Sequence, residues 1–318
     1  MQRESLKNNW LCDYRRNVSS QNGEDGVIEK VFSVISETNA WCVEFGAGSG
    51  KKGNNTWALI TNKRWSAALI EAERALFNDL VQEYRDRDDV VCINSSVGYA
   101  GKNTLDNILK KTPIPRAFDF LSIDIDGYDY QVWEALADYR PRVVMIEINP
   151  NIPLDVDFVQ PASVRACGGS SLSALVRLGK KKGYELIFAH ATNAIFVQEE
   201  LYPLFGIENN DPIHILCGQP TNKPNPDYTF FQMYDGSIVL LGVGRNKILA
   251  YRKKLKDAPV WVFENGTLYP VSFTRDNVIV RRMKNALKKS GLYAACYGAV
   301  KQVYGRLDEK RRSKTRDA

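Results

Sequence analysis

Val43-Glu44-Phe45-Gly46-Ala47-Gly48-Ser49-Gly50 sets a carboxylate at the end of a short apolar run and follows it with a glycine at every second position. Glycines in such a turn let the backbone bend sharply and approach a bound nucleoside closely. The run Trp41 to Phe45 therefore reads as a first strand, and Glu44, Gly46, Gly48 and Gly50 as positions around a bound cofactor. Read in another register, Gly48, Gly50 and Gly53 spell G-x-G-x-x-G, the spacing of a dinucleotide site.

Working outward, Ala67 to Ile70, Val90 to Ile93, Phe118 to Ile125 and Val143 to Ile148 are further apolar runs, the last two continuous as strands covered on both faces must be. Between them Asn54 to Asn62, Ala75 to Tyr84, Thr104 to Lys110 and Tyr130 to Ala137 can be helical. This β-α-β rhythm predicts five parallel strands. A long irregular stretch, Asn151 to Gly169, ends in a helix from Ser171 to Lys182. Tyr184 to Ala189 and Ala194 to Gln198 follow with only a few residues between them, a spacing that fits an antiparallel pair. The fold class is thus α/β, a mostly parallel Rossmann-like sheet ending in an antiparallel pair, the class I methyltransferase arrangement.

An acid stands at the tip of the second strand in Leu69-Ile70-Glu71, where the diol of a ribose would lie, since a carboxylate can accept two hydrogen bonds. S-adenosylmethionine carries an ammonium and a sulfonium but no phosphate, so its site needs a carboxylate by the glycine loop, and Glu44 supplies one. Asn94 and Ser95, after the third strand, are placed to reach an adenine edge. After the fourth strand, Asp124, Asp126 and Asp129 crowd one loop. Asp124 with Glu147 and Asn149 at the next strand end offers hard oxygen ligands for Mg²⁺; the rival reading is that these groups hydrogen-bond the donor tail and the acceptor. Asp124-Ile125-Asp126 also spells the D-x-D of metal-dependent sugar transferases. Asp124, Asp126 and His190, at the end of the sixth strand, are the candidates to handle the acceptor's proton.

Ser20-Gln21-Asn22-Gly23-Glu24-Asp25-Gly26, Val43-Glu44-Phe45-Gly46, Asn55-Thr56, Leu69-Ile70-Glu71 and Ile123-Asp124-Ile125-Asp126-Gly127-Tyr128-Asp129 together resemble the FkbM-type methyltransferases over about residues 20–201. The resemblance implies S-adenosylmethionine as methyl donor and O-methylation of sugars, polysaccharides or secondary metabolites. It makes Glu44, Gly46, Gly48 and Glu71 donor-binding and sets Asp124 and Asp126 beside the acceptor. The partner implied is a small-molecule or glycan acceptor. Two rivals share the fold, an NAD(P)-dependent oxidoreductase and a non-catalytic binding protein.

The chain divides by composition into an N-terminal extension (1–19), the α/β domain (20–205), a lid or linker with a small β module (206–274) and a basic tail (275–318). In the β module, Asp235-Gly236 and Asn265-Gly266 sit between apolar runs as hairpin turns do. The net charge of +6 belongs to the tail, where 13 Lys and Arg face 4 Asp and Glu against 30 and 33 in the rest. The body therefore gives no reason to expect nucleic acid. Within the tail, the stripe over residues 280–307 has two readings: a basic amphipathic helix on an anionic membrane surface, or a helix packed on the body with a solvated basic face. Met1 to Asn22 holds no run apolar enough for a signal peptide or a membrane helix, which predicts a cytoplasmic protein. The six cysteines, Cys12, Cys42, Cys92, Cys167, Cys217 and Cys296, lie far apart and predict reduced, mostly buried thiols.

Overall fold

In the computed structural model, Trp41–Phe45 (β1) pairs in parallel with Ser66–Glu71 (β2) on one side and Phe120–Ile123 (β4) on the other. The structure describes residues 7–125, 127–150, 152, 154, 156–162, 169–190 and 192–217, together with the strands 229–232, 238–241, 260–264 and 267–271. Val90–Asn94 (β3) flanks β2, and Val143–Glu147 (β5) flanks β4. Tyr184–His190 (β6) and Asn193–Gln198 (β7) complete seven strands in the order β3-β2-β1-β4-β5-β7-β6. β7 runs antiparallel to both its neighbours, so the expected terminal antiparallel pair is present.

The central strands are buried on both faces, and the aromatic core is built from Phe45, Phe118, Phe120, Trp133, Phe188 and Phe196. Covering them are α1 (Glu24–Ile35), α2 (Trp57–Lys63), α3 (Arg74–Glu83), α4 (Leu105–Leu109), α5 (Asp129–Ala135) and α6 (Leu172–Lys181). Ser171 caps α6 by accepting from the Ala174 amide, as a serine before an apolar helical run should.

Asp119, ahead of β4, is wholly buried. Its carboxylate accepts from the Thr38, Asn39 and Ala40 amides at 2.8–3.1 Å and pairs with Arg142 at 2.8 Å. Arg142 in turn donates to the carbonyls of Ile35 and Ser36 at the end of α1. Removing one side of a buried, saturated pair strands the other. Asp119→Ala is therefore expected to cost about 3–5 kcal/mol in urea unfolding, and a cost below about 1 kcal/mol, the range of exposed pairs, would contradict this reading.

The N-terminal segment behaves differently from a polar extension. Leu11 in the 3-10 turn Trp10–Tyr14 is fully buried, and Trp10 stacks on Phe205 and donates to its carbonyl at 3.0 Å. Asn8 accepts from the Glu208 and Asn209 amides. After α7 (Pro212–Ile215) the chain returns to the sheet edge, where the Cys217 amide donates to the Ala189 carbonyl at 2.9 Å. Here the expectation of uniformly reduced thiols is corrected: Cys12 and Cys217 form a disulfide across a sequence separation of 205 residues. Cys42 and Cys92 are free, whereas Cys167 and Cys296 lie outside the described residues. Packing of the two end segments on the same sheet edge brings these cysteines together, which spacing along the chain could not reveal.

Thr229–Gln232 (β8), Ile238–Leu241 (β9), Val260–Glu264 (β10) and Thr267–Val271 (β11) form a second sheet in the order β11-β10-β9-β8. Both expected hairpins pair antiparallel, with β9 and β10 joined in parallel between them. The basic tail, including residues 280–307, lies outside the described residues. No described helix is long and apolar enough to cross a membrane.

Candidate functional site

The C-terminal ends of β1, β2 and β4 carry the glycine loop, Glu71 and the acidic loop, and these three pieces interlock. The Gly48 amide donates to Glu71 Oε2 at 2.8 Å, and the Glu73 amide holds the other carboxylate oxygen at 2.6 Å. Glu71 is thereby fixed at the tip of β2, 7% exposed. Gly48 has φ +56°, and the volume a side chain would occupy there is open. Gly46 has φ +76° and is closed off: a Cβ would overlap the Asp124 carbonyl oxygen. One glycine thus serves the crossing of two loops and the other borders open space. Gly50 packs under Tyr84, whose hydroxyl donates to the Gly50 carbonyl at 2.7 Å.

Glu44 serves the fold as well as any ligand. Its carboxylate, 3% exposed, accepts from the Asn55 amide at 2.9 Å, the Thr56 amide at 3.2 Å and the Thr56 hydroxyl at 2.6 Å. These are the unpaired donors ahead of α2, and a carboxylate satisfies them well. Three bonds leave one of its roughly four acceptor positions. Burial raises the Glu44 pKa to about 7, with the hydrogen bonds from Asn55 and Thr56 working against the shift.

At the tip of β3, Asn94 donates to the Glu71 and Ala72 carbonyls and accepts from Arg74, while the Ser95 amide donates to the Glu71 carbonyl. Both residues thus brace the strand that carries Glu71. In the acidic loop, Asp129 is buried and accepts from the Ile125 and Gly127 amides at 2.9 and 2.8 Å, so its charge shapes the turn before α5. The register Ile123↔Ile146 sets half-buried Asp124 and Glu147 at neighbouring strand ends. Asn149, 2% exposed, donates its amide to the Ser170 carbonyl. Asp126 lies outside the described residues. Among the described residues no three His, Cys, Asp or Glu side chains come together as a metal site; Asp124, Glu147 and Asn149 bring two acids and an amide.

His190 is held apart from this group. It ends β6, three strands along the sheet from β4, roughly 14 Å at about 4.8 Å per strand. Arg15 Nη1 donates to the ring, and Nδ1 faces the Cys217 carbonyl at 3.3 Å. That Nη1 lies within hydrogen-bond reach of both ring nitrogens, 3.1 Å from Nδ1 and 2.5 Å from Nε2. Burial and the Arg15 charge hold the pKa below the ordinary histidine value, so the ring is neutral at pH 7.

The motif Ser20–Gly26, for which residue chemistry alone suggests no role, braces the end of the glycine loop from the N-terminal side. Asp25 is buried and accepts from the Val18, Ser19 and Ser20 amides and the Ser20 hydroxyl at 2.6–2.8 Å. The loop it organises grips the glycine loop: the Gly53 amide donates to the Ser19 carbonyl, and the Ser19 hydroxyl to the Asn54 carbonyl, both at 2.9 Å. A run of polar residues directly before the apolar helical pattern of α1 is the sequence signal of this structure.

Residues 100–185 match the family model described as Methyltransferase FkbM domain, a segment that contains Asp124, Glu147 and Asn149 and lies beyond Glu44 and Glu71. No curated protein matches the chain. Among solved structures it is similar to the mitomycin 7-O-methyltransferase MmcR, with 14% identity over 54% of this chain and 55% of that one at a TM-score of 0.30. It is also similar to an S-adenosylmethionine-dependent methyltransferase from Clostridium acetobutylicum, with 10% identity over 55% and 90% of the two chains at 0.34. A third likeness is to magnesium protoporphyrin IX methyltransferase from Synechocystis, with 9% identity over 55% and 77% at 0.34. The chain spans little more than half the length of the mitomycin enzyme.

Proposed function

We propose that this chain, whose residues 100–185 match the FkbM methyltransferase domain, is an S-adenosylmethionine-dependent methyltransferase acting on a hydroxyl of a sugar, polysaccharide or secondary metabolite. The observation that carries the reading is the Glu71 carboxylate bonded to the Gly48 amide across the tips of β2 and β1, with open space beside Gly48. Ligands of open α/β sheets bind at this edge, and an acid at the second strand tip suits a ribose diol. Bound there, S-adenosylmethionine supplies an electrophilic methyl group.

The chain's own residues have three tasks. Glu71 orients the ribose, and the glycine loop lets the backbone close on the nucleoside. Glu44 sets a negative charge beneath the amino-acid tail. To Asp124 and Asp126 falls the alignment of the acceptor hydroxyl and the removal of its proton, the work that in-line transfer to oxygen demands of a protein. His190 takes a supporting place at the sheet edge, neutral and held by Arg15.

Glu44 makes the reading testable through pH. In the free protein its pKa stands at about 7, so below that pH it holds a proton. A cationic donor beside it favours the carboxylate and expels the proton on binding. Donor affinity should therefore rise with pH, by up to about tenfold per unit from pH 5.5 to 7, and flatten above. Calorimetry in buffers of different ionisation enthalpy should register up to one proton released near pH 6. Affinity that is flat with pH, with no proton released, would remove Glu44 from the donor site.

A further inference from the structure

We propose that Cys12–Cys217 is a reversible thiol–disulfide site, opened by a thiol reductant, whose opening loosens the seat of the glycine loop. The bond joins the two end segments of the α/β body, and around it runs a closed ring of contacts. Arg15 Nε donates to the Cys12 carbonyl at 3.1 Å, Arg15 Nη1 reaches His190, His190 Nδ1 faces the Cys217 carbonyl at 3.3 Å, and the disulfide closes the circle. The ring continues toward the glycine loop through the backbone. The Arg16 amide donates to the Gly23 carbonyl at 3.1 Å and its carbonyl accepts from the Gly26 amide at 2.9 Å, tying it to the loop that Asp25 organises. That loop ends on the glycine loop through the bond from the Gly53 amide to the Ser19 carbonyl.

The chemistry follows from exposure. Cys12 is half-buried and Cys217 is 5% exposed, which favours attack of an incoming thiolate at Cys12. It forms a mixed disulfide there and Cys217 departs as a thiolate. A second reductant thiol then attacks the mixed disulfide and frees Cys12. Two thiols are oxidised to one disulfide, and two protons and two electrons convert the protein's bond to two thiols. The reductant class is a small thiol or a dithiol oxidoreductase. Without the covalent tie, the turn Trp10–Tyr14 keeps the buried Leu11, the Trp10 bond to Phe205 and the Asn8 bonds, and hydrogen bonds near the surface contribute little each. The consequence for donor binding rests on the methyltransferase reading; the structural consequence does not.

The test uses the purified full chain, oxidised or treated with dithiothreitol. Alkylation with N-ethylmaleimide and non-reducing peptide mapping should recover a cross-linked Cys12–Cys217 peptide. On reduction, hydrogen exchange should quicken at the Val18, Ser19, Ser20 and Gly53 amides, and S-adenosylmethionine affinity should fall roughly five- to hundredfold, the usual span of coupling between sites. The double variant C12S/C217S should behave as the reduced protein, indifferent to dithiothreitol. Absence of the cross-linked peptide, or amides that ignore reduction, overturns the proposal. Equal donor affinity in both states overturns its link to the site. Amides that respond while the donor binds in neither state would leave the clasp standing and bring down the methyltransferase reading instead.

Discussion

Gly46→Ala should lower the melting midpoint by on the order of 10 °C and abolish donor binding. Two costs coincide at this position. The residue holds φ +76°, a left-handed conformation that costs an L-residue about 1–3 kcal/mol, and the added methyl has nowhere to go because the Asp124 carbonyl oxygen already fills its place. Overpacking adds about 1–3 kcal/mol, and at roughly 2–4 °C per kcal/mol for a domain of this size the sum gives the stated drop. Separating the loops after β1 and β4 also shifts Asp124 relative to the glycine loop. Gly48→Ala is the contrasting case. Its left-handed φ of +56° costs about 1–2 kcal/mol, yet the methyl enters open space, so the fold should survive while the donor meets an obstruction. Thermal melts of the two variants beside donor titrations separate the glycine that builds the site from the one that borders it. A Gly46→Ala protein as stable as the parent would refute the interlock.

Glu71→Ala has the largest expected effect on binding, a loss of about a hundredfold or more in S-adenosylmethionine affinity. The carboxylate does two things at once: it positions the Gly48 and Glu73 amides and offers its remaining lone pairs to a diol. Hydrogen bonds to a charged group contribute about 1.5–3 kcal/mol each, so losing the ribose contacts alone reaches that range. Glu71→Gln retains one acceptor oxygen and should fall between the two. Calorimetric titration reads both, and circular dichroism checks that the variants remain folded. An Ala variant that binds the donor normally would show that the acid at the β2 tip belongs to the fold alone.

Much of this architecture is legible in the residues. Continuous apolar runs mark the central strands because both their faces are covered, and the short link between Gln198's strand and Tyr184's forces an antiparallel pair. The boundaries slip where side chains take backbone partners. The helix expected from Asn54 begins at Trp57, since Asn54 accepts from the Trp57 amide and the Asn55 and Thr56 amides are claimed by Glu44. The strand expected from Phe118 begins at Phe120, because Asp119 turns to the amides of residues 38–40.

The site divides in the same way. Glu71 and the glycines follow from local pattern, because a strand tip and a tight turn are properties of a few neighbouring residues. Asp25, Arg15 and the Cys12–Cys217 bond do not, since each acts on a partner that only the folded sheet edge supplies. Glu44 illustrates the mixed case: its place at the end of β1 is written in the sequence, whereas its commitment to the start of α2 requires the loop to close.

The most direct test of the central claim is calorimetric titration of the purified chain with S-adenosylmethionine and, separately, with NADH. Saturable binding of the methyl donor at one site per chain, with none of NADH, is the predicted result. Binding of NADH without the methyl donor would contradict the account and return the glycine loop to its dinucleotide reading.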